Sequence, residues 1–462
     1  MTEPAGILAD IAASKRTEIA RRFDGVAIDA MRAQAARTAL SLEDALARPG
    51  ARFIFEIKKA SPSAGVIRAA ADVAAIARGY DRVADALSVL IDSPRFDGSL
   101  ADLAVARTAF SGPILAKDFF LVPEQVVEAR LHGADAVLAM LSLLDDEAAR
   151  AIIAEARRFG MDVLVEVHDK AEMDRALAFG ATLIGINNRD FRDLSVDLAT
   201  TERLAPLARG RTLVCESGIS RRSDIDRLSG LVDGFLVGSA LMRSADPAEA
   251  GRTLAFGRVK LCGLNRLGDI EAGRVATFAG LVFVPESPRA VTAAEARPLG
   301  DNARLYGIKP VGIFRNSPTF DVVGIARSLA LHAVQLHGHE TTADITALRA
   351  ALPEDCEIWT AIDASETVAL RGGDRTLFDS GTGGGGKAFD WKRVAGHPAL
   401  ACGIIAGGIG PDNVRAASAL GAYAVDVGSA VDEAPGRKDP AKIAALFEAV
   451  RSPSRQELLQ CA

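Results

Sequence analysis

No uninterrupted apolar run in the 462-residue chain approaches the roughly 20 residues that a membrane-crossing helix needs. Met1-Thr2-Glu3-Pro4-Ala5-Gly6 likewise has no basic stretch leading into an apolar core, so a cytoplasmic protein with no membrane partner is expected. Cysteine is scarce. Cys215, Cys262, Cys356, Cys402 and Cys461 are odd in number, widely spaced and contain no C-x-x-C pair, which excludes a disulfide framework and a cysteine zinc site and fits a reducing compartment. Positive charge is not in excess: 54 Lys and Arg against 60 Asp and Glu leave a net charge of −6, which argues against nucleic acid as a partner. Histidine is also rare. His337 and His339 share a strand face near His332 and Glu340, but no second His-rich segment completes a metal-ligand set, and a solvated or structural role is expected for them. The one glycine-rich run, Gly381–Gly386, is followed by Lys387-Ala388 and not by Lys-Ser or Lys-Thr, so no nucleotide loop is read there. Neither a metal nor a cofactor is expected.

What is present is a globular composition, with 49% hydrophobic and 25% charged residues and 42 glycines. The length exceeds one ordinary core and predicts two domains, 1–256 and 257–462. No Pro/Ser linker marks the boundary near Phe256–Arg258, so a monomer with its two domains packed directly together is expected. An amphipathic helix is predicted over Ile7–Arg22 and a short one over Leu42–Ala47, N-capped by Ser41. Strand-like runs then alternate with helical segments at Phe53–Lys58, Ala86–Asp92, Pro113–Asp118, Ala136–Leu141, Asp162–Val167, Leu183–Asn188, Thr212–Ser217 and Gly234–Ser239. A second set follows at Val259–Gly263, Gly280–Pro285, Lys309–Phe314, Ala333–Gly338, Glu357–Ile362, Thr376–Gly381, Gly403–Gly408 and Ala422–Ser429. Eight parallel strands with helical crossovers close a β/α barrel, so the predicted fold is α/β, two tandem TIM-type (β/α)8 barrels with a helical extension before the first. The crossover between Ile362 and Thr376 is too short and glycine-rich for a regular helix.

An internal repeat supports this plan. Glu216-Ser217-Gly218-Ile219 precedes Gly238-Ser239-Ala240 by the same spacing with which Gly407-Gly408-Ile409 precedes Gly428-Ser429-Ala430. Both pairs fall at the ends of the last two strands of a set, where β/α barrels hold phosphate through loop amides and a helix N-terminus. One such pair is more often a turn. Two, equally placed, point to phosphorylated small molecules in both halves.

The ends of the first eight strands are heavily ionisable, and they converge on one mouth. In Phe53–Ser63, alternation puts Glu56 and Lys58 on one face and Phe55 and Ile57 on the other. With Lys117, Glu166 and Glu216 they form a ring of two lysines and three glutamates, joined by Asn187 and Arg189, and acid–base chemistry explains that better than turn formation does. A structural ion pair is the plain alternative for Glu56 and Lys58. Loop salt bridges within Lys117-Asp118 and Arg189-Asp190 are expected, which removes Asp118 and Asp190 from the candidates.

Glu56-Ile57-Lys58-Lys59-Ala60-Ser61-Pro62-Ser63, Leu115-Ala116-Lys117-Asp118-Phe119, Leu164-Val165-Glu166-Val167, Gly185-Ile186-Asn187-Asn188-Arg189-Asp190, Glu216-Ser217-Gly218-Ile219 and Gly238-Ser239-Ala240-Leu241-Met242 resemble, in order, the motifs of indole-3-glycerol-phosphate synthase. The resemblance spans the first half. It implies ring closure, decarboxylation and dehydration of 1-(2-carboxyphenylamino)-1-deoxyribulose 5-phosphate, with the N-terminal helices covering part of the mouth. Protonating the ketone as the ring closes suits Lys117 or Lys58, and loss of water suits Glu166 with Lys58, tuned by Glu56. Which lysine delivers which proton stays open. Glu216, Asn187 and Arg189 would orient the substrate, and Ser61, Ser217, Gly218, Gly238 and Ser239 would lie against it, chiefly at its phosphate.

In the second half, Cys262 ends the first strand and Asp379 the sixth. Each alone is commonplace, a small core thiol and a turn carboxylate, but facing across a mouth they make a base and an acid. Cys262-Gly263-Leu264, Ser287-Pro288-Arg289, Gln335-Leu336-His337-Gly338, Asp379-Ser380-Gly381 and Ala406-Gly407-Gly408-Ile409 resemble phosphoribosylanthranilate isomerase. That resemblance implies Cys262 as general base, Asp379 as general acid and Arg289 as partner of the anthranilate carboxylate. Gly383, Gly384 and Gly385, with Gly407, Gly408, Gly428 and Ser429, would cradle the phosphate. Gly385 and Asn265 depart from the Ser and Thr common in that family. Rival readings are a barrel that only binds sugar phosphates and a Schiff-base aldolase with Lys117 as nucleophile.

Overall fold

Three helices, α1 (Ile7–Arg22), α2 (Ile28–Arg32) and α3 (Leu42–Leu46), precede the first strand in the computed structural model, which describes residues 7–81, 83–365, 369–381, 389–455 and 458. On α1 the residues Ile11, Lys15 and Ile19 recur every four positions and are buried, so a lysine lies on the apolar face. Ser41 caps α3 by accepting from Asp44 N–H at 3.0 Å, a contact typically worth about 1 kcal/mol.

The first barrel closes eight parallel strands in sequence order: β1 (Arg52–Ile57), β2 (Ala86–Leu90), β3 (Ile114–Lys117), β4 (Ala136–Met140), β5 (Asp162–Val167), β6 (Leu183–Asn187), β7 (Thr212–Glu216) and β8 (Gly234–Val237). β1 pairs with β8 through Phe53↔Phe235 and with β2 through Ile54↔Ala86, which closes the ring. All six residues of β1 are buried because helices cover the outside while side chains fill the inside. Phe53 stacks on Phe235 at 5.9 Å between centroids and Phe55 meets Tyr80 edge-on at 5.0 Å. That aromatic layer takes the odd-numbered residues of β1. Glu56 is left to the other face, at the carboxyl end.

The second barrel repeats the plan with β9 (Val259–Cys262), β10 (Phe278–Val282), β11 (Lys309–Phe314), β12 (Ala333–Leu336), β13 (Glu357–Asp363), β14 (Arg375–Asp379), β15 (Ile404–Ile405) and β16 (Ala424–Val427). Phe278 meets Trp359 edge-on at 5.1 Å in its core. Most strand ends fall within a few residues of expectation, and two of the differences have a clear cause. β10 begins at Phe278, two positions before Gly280, because Phe278 takes part in the ladder as the partner of Lys260 and Lys309. β15 shrinks from Gly403–Gly408 to two residues because Gly407 and Gly408, at φ 81° and 62°, leave the extended region where only glycine does so cheaply. Among the described residues of 364–374 no helix forms, and Gly372 and Gly373 are left-handed (φ 90° and 91°).

The chain divides into two compact units, Met1–Ala255 with Ser452–Ala462, and Phe256–Arg451. The expected second domain, 257–462, therefore gives up its end to the first unit. The reason is hydrogen bonding: Ala51 N–H donates to Ser452 O at 2.8 Å, Ser452 Oγ to Asp226 at 2.7 Å, and the Arg455 guanidinium to Ala208 O at 3.3 Å. No helix among the described residues is long and apolar enough to cross a membrane. Among them no group of three or more His, Cys, Asp or Glu side chains is placed to hold a metal ion.

Candidate active sites

At the carboxyl rim of the first barrel a cavity of about 500 Å³ is lined by Glu56, Lys58, Ser61, Lys117, Glu166, Asn187, Arg189, Glu216, Ser217, Gly218, Gly238 and Ser239, every residue expected of that mouth. Lys58 Nζ pairs with Glu56 Oε1 at 2.7 Å, and Ser88 Oγ donates to Glu56 Oε2 at 3.4 Å. Burial alone would raise the Glu56 carboxyl, but Lys58 and then Lys117 hold it below its ordinary value. Lys117 is ion-paired with Glu216 and lies 3.6 Å from Glu166 Oε2. Its burial favours the neutral amine, yet Glu216, Glu166 and Glu56 keep the ammonium charged well above the usual range.

Glu166 and Glu216, each 1% exposed, are pushed apart by their surroundings. Burial raises both. Lys117 and His168 reverse this for Glu166, which accepts from Asn187 Nδ2 at 3.1 Å and stays ionised, whereas Glu216 also faces Glu166 and Glu56 and ends raised. His168 stands 3.3 Å from Glu166 and 3.0 Å from Glu172, and against its burial these carboxylates push it up to about 10.

Small residues make this crowding possible. A Cβ on Gly238 would stand 2.4 Å from Glu56 Oε1, and one on Gly185 only 2.1 Å from Glu216 Oε1. Gly238, read from sequence as a phosphate contact, is thus also the space that admits Glu56. Asn188 braces the neighbouring turn by donating to Glu216 O at 3.0 Å and Ser217 O at 3.1 Å, where Ser217 takes φ 65° and Gly218 φ 92°.

The expected loop salt bridges do not form. Asp118 pairs with Lys15 of α1 at 2.8 Å instead of Lys117, and the same Lys15 holds Asp92 at 2.7 Å. Asp190 pairs with Arg192, while Arg189 donates to Leu194 O at 2.9 Å. The cause in each case is direction. Lys117 points inward to the carboxylates of the ring, and Arg189 folds over its own loop.

The second cavity, about 440 Å³, is lined by Cys262, Arg289, Asp379, Gly407, Gly408, Gly428 and Ser429, with Gln335, His337 and Asp426 beside them. The Gly383, Gly384 and Gly385 expected at the phosphate lie outside the described residues. Burial pushes Asp379 up to about 6 and raises the Cys262 thiol, which Lys260 opposes. Burial also holds His337 down to about 3, a neutral ring. Arg289 pairs with Asp432 at 2.6 Å, and its stem runs so close to Gly263 that a Cβ there would meet Arg289 Cδ at 2.3 Å. Lys260, fully buried, donates to Asp426 Oδ2 at 2.8 Å. Gln335 is 1% exposed, and neither end of its amide has a hydrogen-bond partner among the described residues.

Lys15, His168, Lys260 and Asp426 were not singled out from sequence, although signals for three exist. His168 and Lys260 each sit two residues from a chosen strand-end group, on the same face, and Lys15 interrupts the apolar stripe of α1.

Two closed barrels, each gathering buried ionisable groups and small-residue loops at one rim, define a tandem β/α-barrel acid–base enzyme. A crystal structure of phosphoribosyl anthranilate isomerase from Thermus thermophilus aligns at 32% identity and a TM-score of 0.38, covering 42% of this chain and 98% of that one. Family models described as indole-3-glycerol phosphate synthase and N-(5'phosphoribosyl)anthranilate (PRA) isomerase match residues 8–254 and 259–449. The tryptophan biosynthesis protein TrpCF of Yersinia pestis is 46% identical over 407 residues, covering 86% of this chain and 84% of its own. That of Salmonella typhi is 44% identical over 415 residues, covering 88% and 91%. The chain belongs to this bifunctional tryptophan-biosynthesis family, with the synthase barrel N-terminal and the isomerase barrel C-terminal.

Proposed function

We propose that the second barrel rearranges N-(5-phosphoribosyl)anthranilate through Cys262 and Asp379, and that the first closes the product to indole-3-glycerol phosphate through Lys117, Glu166 and Lys58. In the isomerase step the protonated Asp379 carboxyl gives its proton to the ring oxygen as the sugar opens, and the Cys262 thiolate takes the proton from carbon two. The resulting enol relaxes to the aminoketose, 1-(2-carboxyphenylamino)-1-deoxyribulose 5-phosphate. Arg289 meets the anthranilate carboxylate, and the Gly407-Gly408 and Gly428-Ser429 turns hold the phosphate, joined by Gly383, Gly384 and Gly385.

In the first barrel, the Lys117 ammonium protonates the ketone oxygen as the aromatic carbon attacks, and carbon dioxide leaves from that carbon. Water loss then uses Lys58 as acid and the ionised Glu166 as base. Glu56 holds Lys58 in place through their 2.7 Å ion pair. Glu216, Asn187 and Arg189 orient the substrate, while Ser61, Ser217, Gly218 and the Gly238-Ser239 turn lie against the phosphate end. A Lys117 held charged by its carboxylate neighbours suits a proton donor and disfavours a Schiff-base nucleophile. The four described cysteines are all free, which supports a reducing, cytoplasmic setting.

The observation that carries this reading is the meeting of Lys58, Lys117 and Glu166 in one closed-barrel mouth. The test is fluorescence-monitored turnover of phosphoribosylanthranilate by the full chain. Its consumption with appearance of indole-3-glycerol phosphate is expected; consumption without the indole product would overturn the synthase assignment, and no consumption the isomerase assignment.

A further inference from the structure

We infer that Lys260 is a positioning residue of the isomerase site: its buried ammonium, anchored by Asp426, faces Cys262 and favours the thiolate in which that cysteine acts as base. The inference rests on the reading of Cys262 as the base.

Lys260 and Cys262 are two residues apart on β9, so both side chains take the inner face. Lys260 lies in direct register with Asp426 on β16 and donates to it at 2.8 Å, with no part of its side chain exposed. The positive charge of Lys260, two residues along the same strand face, acts on the Cys262 thiol against the effect of its burial. On the other side, Gly280 of β10 lies opposite Cys262 in the ladder. A Cβ there would stand 3.0 Å from Cys262 Cα and 3.2 Å from Lys260 Cε, so the neighbouring strand is bare where the lysine stem and the cysteine meet. Burying an ammonium is costly unless its donors are used, and Asp426 takes one of three.

The other charges facing Cys262 do not replace this role. Asp426 on β16 opposes a thiolate, as does the nearby carboxyl of Asp379 on β14 once ionised. Lys438 favours it but already donates to Asp432 at 2.6 Å and Gly428 O at 2.8 Å. Arg289 is drawn to Asp432, and His337 is neutral. Lys260 keeps its own proton throughout: the thiolate takes the substrate proton and becomes the thiol, and the ammonium stays with Asp426.

The test follows iodoacetamide alkylation of Cys262 in the full chain, without substrate, by peptide mass spectrometry over roughly pH 6 to 10, the range in which perturbed thiols titrate. Lys260→Met is expected to move the alkylation profile to higher pH, and for every pH step of about 1 that it moves, reaction near neutrality slows about tenfold. Asp426→Asn is expected to move it to lower pH. A Lys–Asp pair that merely staples two strands would leave both profiles in place or move them together, and either result overturns the inference. If Lys260→Met fails to fold by thermal melt, Asp426→Asn decides alone: a downward move supports the role, and an unchanged or raised profile ends it. Failure of the isomerase reading is seen separately, as an unsubstituted protein that does not consume phosphoribosylanthranilate.

Discussion

The two mouths hold their ionisable groups in opposite ways. In the first barrel Glu56–Lys58 and Glu166–Lys117–Glu216, extended by His168, form a lattice in which most groups stay charged despite burial, because each faces an opposite charge. In the second, the proposed acid and base are sparse and raised: burial pushes both the Cys262 thiol and the Asp379 carboxyl toward their neutral forms. The difference matches the chemistry. A three-stage reaction with charge developing on an oxygen, a carboxylate and a leaving hydroxyl needs several fixed charges around one substrate. A single proton shuttle between two carbons and a ring oxygen needs one acid that holds its proton and one base that gains it. Small residues serve both designs. Gly185 and Gly238 admit carboxylates in the first barrel, and Gly263 and Gly280 admit Arg289 and the Lys260 stem in the second.

The contrast breaks most sharply at Lys117. Lys117→Met leaves Glu166 and Glu216 buried without their shared cation, so synthase turnover is expected to fall by about 10⁴-fold, with 1-(2-carboxyphenylamino)-1-deoxyribulose 5-phosphate accumulating as product of an unchanged isomerase. Chromatography of a phosphoribosylanthranilate reaction reads this directly, and a loss of consumption of the first substrate would refute the division of labour. Cys262→Ala is the mirror experiment: a loss of about 10³-fold in isomerase turnover, with the synthase step intact when its own substrate is supplied.

Stability sharpens the comparison further. Asp379 is raised from 3.8 to about 6 in the folded chain, so its contribution to stability is full below pH 3.8 and is lost as pH rises through 6. Asp379→Asn does not titrate. Its stability, followed by thermal melts across pH, should therefore gain on the unsubstituted protein between those two values and hold the gain above, on the order of 3 kcal/mol, while isomerase activity is lost. A pH-independent difference would show that the carboxyl is not strained by burial. The smallest effect is expected at Gly238→Ala, where the added methyl displaces Glu56 and loosens Lys58. Synthase kcat should fall about tenfold with the isomerase untouched, the change expected of a shifted acid that is still present.

Much of this was legible in the chain. Alternation in Phe53–Lys58 places Glu56 and Lys58 on one face, and the repeated Gly-Ser spacing marks two turns that line the two cavities, because those features depend on backbone geometry alone. Pairing was not legible. Lys117-Asp118 and Arg189-Asp190 are sequence neighbours, but Lys117 and Asp118 found partners on other elements, Glu216 and Lys15, while Asp190 found Arg192 and Arg189 the Leu194 carbonyl further along their own loop. The role of Gly238 as a space for Glu56, and of Lys260 beside Cys262, appeared only when neighbouring strands were in register. Gly407-Gly408 reads from sequence as strand end and phosphate turn together; its left-handed backbone places it beyond the strand.

The stitch between Ala51 and Ser452 carries a consequence for biosynthesis. A ribosome delivers the amide of Ala51 early and the carbonyl of Ser452 only after every strand of the isomerase barrel has emerged, so the synthase half is the first to be made and the last to be finished. A gene cut at the junction between the two barrels would release that half with its final tie missing. A stand-alone version is expected to hold together better with 452–455 grafted behind residue 255 than when it simply stops there.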